Sequence, residues 1–224
     1  TSDMKNLTLV GFALIKDDIR KEAIEGLKLI NRAKIQAVMI TGDNKDTAVS
    51  IGKEVGILKN QSDIVLTSDE LKSMSDEKVK SILPNLRVVA RSLPQDKSRL
   101  VRISQEMGLV VGMTGDGVND APALKKADVG FAMGSGTEVA KEASDIVILD
   151  DNLYSISQAV LFGRTIFKSI RKFIIFQLTV NLCAVGVSIV GPFIGIQTPV
   201  TVIQMLWINM VMDTLAGLAF AFEP

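Results

Sequence analysis

Histidine is absent from this 224-residue chain. Without an imidazole the chain can build neither a serine–histidine triad nor a histidine-ligated zinc site, so acid–base chemistry falls to carboxylate, lysine, hydroxyl, amide or a metal. There is one cysteine, Cys183, which excludes an intrachain disulfide; its apolar neighbours suit a small packing residue. Neither charge is in excess, because 25 basic residues balance 25 acidic ones, and nothing implies nucleic acid or another strongly charged partner. The N-terminal TSDMKNLTLV has no basic-then-apolar signal-peptide pattern and no initiating methionine. The expectation is a piece of a longer protein.

Charge is also nearly missing from one region. Phe173 to Phe222 holds a single charged side chain, Asp213, whereas charges are spread through the positions before it. Phe173 to Val190 is long enough to cross most of a bilayer, and Gly191 and Pro192 interrupt it. A second span fits Val200 to Phe222. The connecting Gly191 to Pro199 has no lysine or arginine, while Arg164, Lys168, Arg171 and Lys172 precede the first span. That asymmetry places the polar half in the cytoplasm and the short loop outside, in an integral membrane protein surrounded by lipid. The alternative is a buried helical hairpin in a large soluble protein, against which the near-total lack of charge argues.

In the polar half, apolar runs predict buried strands at Leu9 to Ile15, Ala37 to Thr41, Arg87 to Ala90, Leu109 to Thr114 and Ile146 to Leu149. Helical patterns lie between them: Ile24, Leu27 and Ile30; Thr47 to Val55 after a candidate N-cap Asp46; and Leu100, Val101 and Ile103 after Pro94 and Asp96. Alternating strands and helices imply an α/β fold with a parallel, Rossmann-like sheet covered on both faces, whose ligands sit at the carboxyl ends of the strands. The Ser-, Asp- and Lys-rich Asn60 to Asn85, with helices near Ser68 to Lys72 and Asp76 to Leu83, reads as a surface excursion. From Tyr154 a long helical pattern runs into the apolar half.

Thr114 to Ala123, TGDGVNDAPA, is the densest chemistry in the chain. It sets Asp116, Asn119 and Asp120 among glycines where a buried strand opens into a loop, an arrangement suited to phosphate and Mg²⁺. A solvated Gly-Asp turn is the plainer reading of such a word. Thr41-Gly42-Asp43 offers a hydroxyl and backbone donors after another strand, although alone it is a common turn. Lys97, near a helix start that already favours anions, would be a compact positive charge for phosphate; a lone lysine is usually a solvated surface residue.

Three words in order, MITGDN at 39–44, ARSLPQDKS at 90–98 and MTGDGVNDAPALKKADVGFAMG at 113–134, resemble the later motifs of the phosphorylation domain of P-type ATPases. The resemblance runs from about Val10 to the last residue. It implies a haloacid-dehalogenase-like fold, partial here, in a pump that uses ATP and Mg²⁺ through an aspartyl-phosphate. By that resemblance Asp116 would bind Mg²⁺, Asn119 would hydrogen-bond the phosphoryl oxygens, Asp120 would fix the loop, and Lys97 would contact phosphate. Thr41, Gly42 and Asp43 would recognise phosphate oxygens, and Arg91 would contact nucleotide. Asp17 matches an aspartate that the family follows with proline, and this chain has Asp18 there. The family's acceptor word, Asp-Lys-Thr-Gly-Thr, does not occur. Asp96-Lys97-Ser98 is superficially close, but Pro94 marks a helix start and no strand leads into it. The nucleophile is therefore expected upstream with the nucleotide-binding, actuator and earlier transmembrane parts, and the chain alone should not turn over ATP.

Polar groups in a bilayer are costly, so Asn181, Asn209 and Asp213 are candidates for function or for interhelical hydrogen bonds. Asn209 and Asp213 share one helix face, and amide and carboxylate oxygens suit a hard cation. FQLTVNLCAVG at 176–186 and QMLWINMVMDTLAGLAFAFEP at 204–224 resemble the fifth and sixth transmembrane helices of calcium pumps. Sarcoplasmic-reticulum-type pumps have a glutamate three residues after the fifth-helix asparagine and a threonine just before the sixth-helix aspartate. This chain has Ala184 and Met212, a pattern similar to plasma-membrane-type calcium pumps with one of two Ca²⁺ sites lost. Mn²⁺ also accepts such oxygens. The expected organisation is a phosphorylation-domain part at 1–153, a stalk helix at 154–172 and two transmembrane helices at 173–224. A membrane-anchored phosphatase, a pump for another cation and a non-catalytic regulatory fragment are the other readings.

Overall fold

The computed structural model describes residues 19–196 and 199–222. The predicted strand at Leu9 to Ile15 and Asp17 lie outside them. The chain divides into two compact units between Ser157 and Gln158.

The first unit is built from parallel strands joined by helices, as the alternation of apolar runs implies. Helix α1 (Lys21–Arg32) leads to β1 (Met39–Ile40), α2 (Lys45–Glu54), β2 (Ile64–Thr67), α3 (Ser68–Ser73) and α4 (Asp76–Ile82). Then follow β3 (Leu86–Ala90), α5 (Pro94–Glu106), β4 (Gly112–Gly115), α6 (Ala121–Lys126), β5 (Val129–Met133), α7 (Glu138–Glu142) and β6 (Ile146–Ile148). Two three-stranded parallel sheets form among the described residues, in the orders β1-β3-β2 and β4-β5-β6.

Local chemistry sets the helix starts. Asn44, not Asp46, caps α2 by accepting the Thr47 N–H at 2.9 Å, because an Asx side chain reaches the third amide beyond it. Thr67 and Glu70 form a reciprocal capping box on α3, the Glu70 N–H donating to Thr67 Oγ1 and the Thr67 N–H to Glu70 Oε2. Pro94 occupies the first position of α5, where its missing N–H costs nothing.

The expectation of a surface excursion at Asn60 to Asn85 is overturned. Ile64–Thr67 pairs with β3, and Leu66, Leu71, Val79 and Leu83 bury in one cluster with Leu86, Val89, Leu100 and Ile103. Apart from Ser68 and Asp63, the segment's polar residues mostly face outward, while its sparse leucines and valines cover the first sheet.

Helix α5 joins the two sheets. Successive helical residues are rotated by about 100°, so Leu100 and Ile103 point into the first cluster while Val101 packs with Met113, Ala123 and Leu124 of the second. Lys97, one turn before Val101, therefore lies toward the second sheet.

Helix α8 (Leu153–Val190) begins in this unit. A Cβ on Gly26 would stand 2.6 Å from the Tyr154 nitrogen, so only glycine lets α1 approach the first turn of α8 so closely. Ile156 and Ser157 are buried there.

In the second unit, the rest of α8 and α9 (Val202–Ala221) are long and apolar enough to cross a membrane. The twenty residues of α9 span about 30 Å at 1.5 Å per residue, the thickness of a bilayer's hydrocarbon core. A short 3₁₀ turn at Gly191–Ile194 ends α8, and Thr201 with Gln204 forms a capping box on α9. Just past the basic stretch in the middle of α8, Phe220 stacks edge-on against Phe173 and Phe176, with centroids 6.3 and 5.9 Å apart.

Candidate functional site

The carboxyl ends of β1 and β3 are tied together by backbone. Thr41 N–H donates to the Val89 carbonyl at 2.9 Å, Ser92 N–H to the Thr41 carbonyl at 2.9 Å, and Arg91 N–H to the Asp43 carbonyl at 2.8 Å. Arg91 takes the left-handed region, φ 50°, which a non-glycine residue holds only where its surroundings over-determine it. Gly42, Asp43 and the Arg91 side chain are exposed. The Thr41 hydroxyl donates to Asp43 Oδ2 at 2.9 Å and accepts the Asp43 N–H at 3.1 Å, closing a small loop with its donors at the surface.

Across the β3–α5 connection, Lys97 Nζ pairs with Asp120 Oδ1 at 2.5 Å. Asp120 is buried; its other oxygen accepts the backbone N–H groups of Asp116 and Gly117 at 3.3 and 3.4 Å. One carboxylate thus holds the loop after β4 to the first turn of α5. Gly115 makes room for it, since a Cβ there would stand 2.4 Å from the Asp120 Cβ.

Asp116 and Asn119 are exposed. Among the described residues the Asp116 carboxylate makes no hydrogen bond or ion pair, and neither does the Asn119 side chain. An exposed, unengaged carboxylate beside a loop already anchored by another is a fitting donor for a hard cation such as Mg²⁺.

Sequence reasoning passed over the residues that brace this loop from the far side. Thr137 N–H donates to the Asp116 carbonyl at 2.8 Å, and a Cβ on Gly136 would lie 2.9 Å from the same oxygen. Asp151 accepts the Ser135 N–H at 3.1 Å, and hydrogen bonding from the Ser135 side chain, together with that backbone contact, lowers its carboxyl below the usual aspartate range. The signal was present as Gly134-Ser135-Gly136 directly after the apolar run of β5.

In the second unit, the hydroxyls of Thr165, Ser169, Thr179, Ser188 and Thr214 bond carbonyls four residues back on their own helices. The side chains of Asn181, Asn209 and Asp213 make no hydrogen bond or ion pair among the described residues. Asn209 and Asp213 share one face of α9, with Asp213 exposed. Gln177, one turn before Asn181 and also missed, has a buried amide oxygen without a partner.

A model of the haloacid dehalogenase-like hydrolases matches residues 2–128. A second model of that description matches 100–160, and one of the cation transporting ATPase C-terminus matches 197–224. The chain is 46% identical over 226 residues to "Calcium-transporting ATPase 7, plasma membrane-type" of Oryza sativa, covering 99% of this chain and 22% of that protein. It is 46% identical over 233 residues to "Plasma membrane calcium-transporting ATPase 1" of Homo sapiens, covering 97% and 19%.

The chain belongs to the haloacid dehalogenase-like hydrolases, and it is homologous to Ca²⁺-transporting P-type ATPases. The crystal structure of a zinc-transporting PIB-type ATPase in the E2.Pi state shares the fold, with a TM-score of 0.62 and 28% identity over 92% of this chain and 27% of that one. The chain spans about a fifth of the length of the curated relatives it matches. The chain is an integral membrane protein with its haloacid-dehalogenase-like part on the cytoplasmic side, the placement set by its two apolar helices and the basic residues before the first of them.

Proposed function

We propose that the chain is the carboxyl-side part of the phosphorylation domain (1–153), a stalk helix (154–172) and two transmembrane helices (173–224) of a Ca²⁺-transporting P-type ATPase. The rest of that pump, including the nucleotide-binding and actuator parts and the acceptor aspartate, is supplied by other parts of the same polypeptide. The observation that carries this reading is the meeting of Lys97, Asp120 and the Asp116 loop at the carboxyl ends of parallel strands, with the Asp116 carboxylate unengaged.

In this reading the γ-phosphoryl group of ATP passes to the acceptor aspartate, and the chain's residues bind and orient it. Lys97 supplies a positive charge, Asn119 an amide, and Thr41-Gly42-Asp43 a hydroxyl and backbone donors. Asp120 holds Lys97 and backbone hydrogen bonds hold the Thr41 loop before reaction, so these donors need little reorganisation as charge spreads over the phosphoryl oxygens. Asp116 would hold Mg²⁺, which neutralises phosphoryl charge when bound. Asp120 fixes the loop and the lysine, and Arg91 reaches toward the nucleotide.

Asn181, Asn209 and Asp213 contribute oxygens to the transported cation. Ala184 and Met212 offer no side-chain oxygen, so one Ca²⁺ is carried per cycle. Purified full-length pump reconstituted in vesicles should move one Ca²⁺ per ATP hydrolysed, and a ratio of two would refute the assignment. Asp96, the acceptor that a free-standing phosphatase would need, is buried and bonded to Ser68 and to the Leu93 N–H, which weighs against that alternative.

A further inference from the structure

The segment that links β2 to β3 grips α5 at three successive points. Ser68, the first residue of α3, donates its hydroxyl to Asp96 Oδ2 at 2.6 Å, and the same oxygen accepts the Leu93 N–H at 2.8 Å. Both side chains are buried, Ser68 at 4% exposure and Asp96 at 2%. One turn on, Arg99 donates to the carbonyls of Leu71 and Met74, each at 2.7 Å, and to Asp76 Oδ1. A further turn on, Arg102 donates to Asp76 Oδ2 at 2.7 Å. Residues 96, 99 and 102 fall along one side of α5, so α3 and the start of α4 fix the helix both along its axis and in rotation about it.

Rotation is what matters for Lys97. It follows Asp96 by one residue and is therefore turned from it by about 100°, which aims it at Asp120 on the second sheet. A buried carboxylate is costly to leave with unfilled acceptor capacity, so placing Asp96 against Ser68 permits essentially one azimuth for the helix. We propose that Ser68 and Asp96, backed by Asp76 and Arg99, are positioning residues: they set the direction in which Lys97 presents its ammonium to the transferred phosphoryl group. This rests on the reading of Lys97 as a phosphate contact. It gives a role in the reaction to a stretch that has no phosphate-binding word of its own.

The test is the apparent affinity of the full-length pump for inorganic phosphate, read as phosphoenzyme formed from phosphate and Mg²⁺, together with thermal stability. Asp96→Ala should weaken phosphate affinity by about 10- to 100-fold, the loss typical of a group displaced by roughly 1 Å. Asp96→Asn should stay close to the parent, because its amide oxygen can still accept from Ser68 and Leu93. In a Lys97→Ala background, Asp96→Ala should cost no further phosphate affinity, since positioning acts only through the lysine. If Asp96→Ala prevents folding, Ser68→Ala carries the same cycle, with a smaller loss in the parent and none in Lys97→Ala. A variant that lowers stability but leaves phosphate affinity intact, or a loss that adds fully to that of Lys97→Ala, overturns the proposal. Lys97→Ala without effect on phosphate affinity removes the underlying reading itself, an outcome distinct from failure of the cycle alone.

Discussion

Replacing Gly115 with alanine tests whether the Asp116 loop is held by shape as well as by hydrogen bonds. A methyl group there would meet Asp120 Cβ at 2.4 Å and its Cγ and Oδ2 at 2.8 Å, all inside normal van der Waals contact. Neither side can yield without loss. Gly115 is held in the parallel ladder opposite Ala132, and the Asp120 side chain accepts from Lys97, Asp116 and Gly117. If the strand shifts, its pairing with β5 is disturbed; if Asp120 swings out, three interactions go with it. Overpacking of this kind costs about 1–3 kcal/mol, a factor of roughly 5 to 150 in the folding equilibrium at 1.4 kcal/mol per tenfold. The assay is thermal or denaturant unfolding of the 224-residue protein in detergent, with hydrogen exchange at the Asp116 and Gly117 amides as the local readout. Gly115→Ala should lower stability by that amount and release both amides to fast exchange. Unchanged stability with both amides still protected would refute the reasoning, because it would mean that Asp120 is not held where the contacts place it.

Leu71→Ala should destabilise the first unit by about 2–5 kcal/mol, measured by denaturant unfolding, because Leu71 is fully buried in the first cluster. Acid should loosen the α4–α5 contact. Arg102 and Arg99 hold the Asp76 carboxyl below its usual range, and Lys80 and Arg102 do the same for Glu106. Carboxyls depressed in the fold add stability above their unfolded pKa values, which is lost as pH falls through the lowered ones. Stability should therefore hold from neutrality to about pH 5 and decline below roughly pH 4, and Asp76→Asn should flatten that decline in a denaturant series over pH. A flexible glycine stretch inserted near Ser169, in the uninterrupted α8, should leave ATP hydrolysis by the full-length pump but uncouple it from Ca²⁺ transport. Transport that persists would count against a mechanical link.

Much of the site could be read from one dimension. The words around Thr41, Lys97 and Asp116 each follow an apolar run, and apolar runs between helical patterns imply parallel strands whose carboxyl ends share a face. The start of α5 at Pro94 and the extents of α8 and α9 were likewise legible, since a missing N–H or an unbroken apolar stretch acts locally. Residues 64–67 and 129–133 were not recognised as strands. Ile64–Thr67 is short and lies among Ser, Asp and Lys, and Val129–Met133 is embedded in a motif. Each becomes a strand because a neighbour in the ladder completes its hydrogen bonds.

By itself, then, the sequence determined the α/β class, the membrane-crossing pair, the exclusion of imidazole chemistry and the choice of candidate side chains for a phosphate site, all of which depend on residue type and near-neighbour spacing. The tertiary structure decided which of those side chains meet. Lys97 with Asp120, Ser68 with Asp96 and Gly136 against the Asp116 carbonyl are each separated by twenty or more positions along the chain. Contacts of that kind depend on how the sheets and α5 pack, and no local periodicity encodes them.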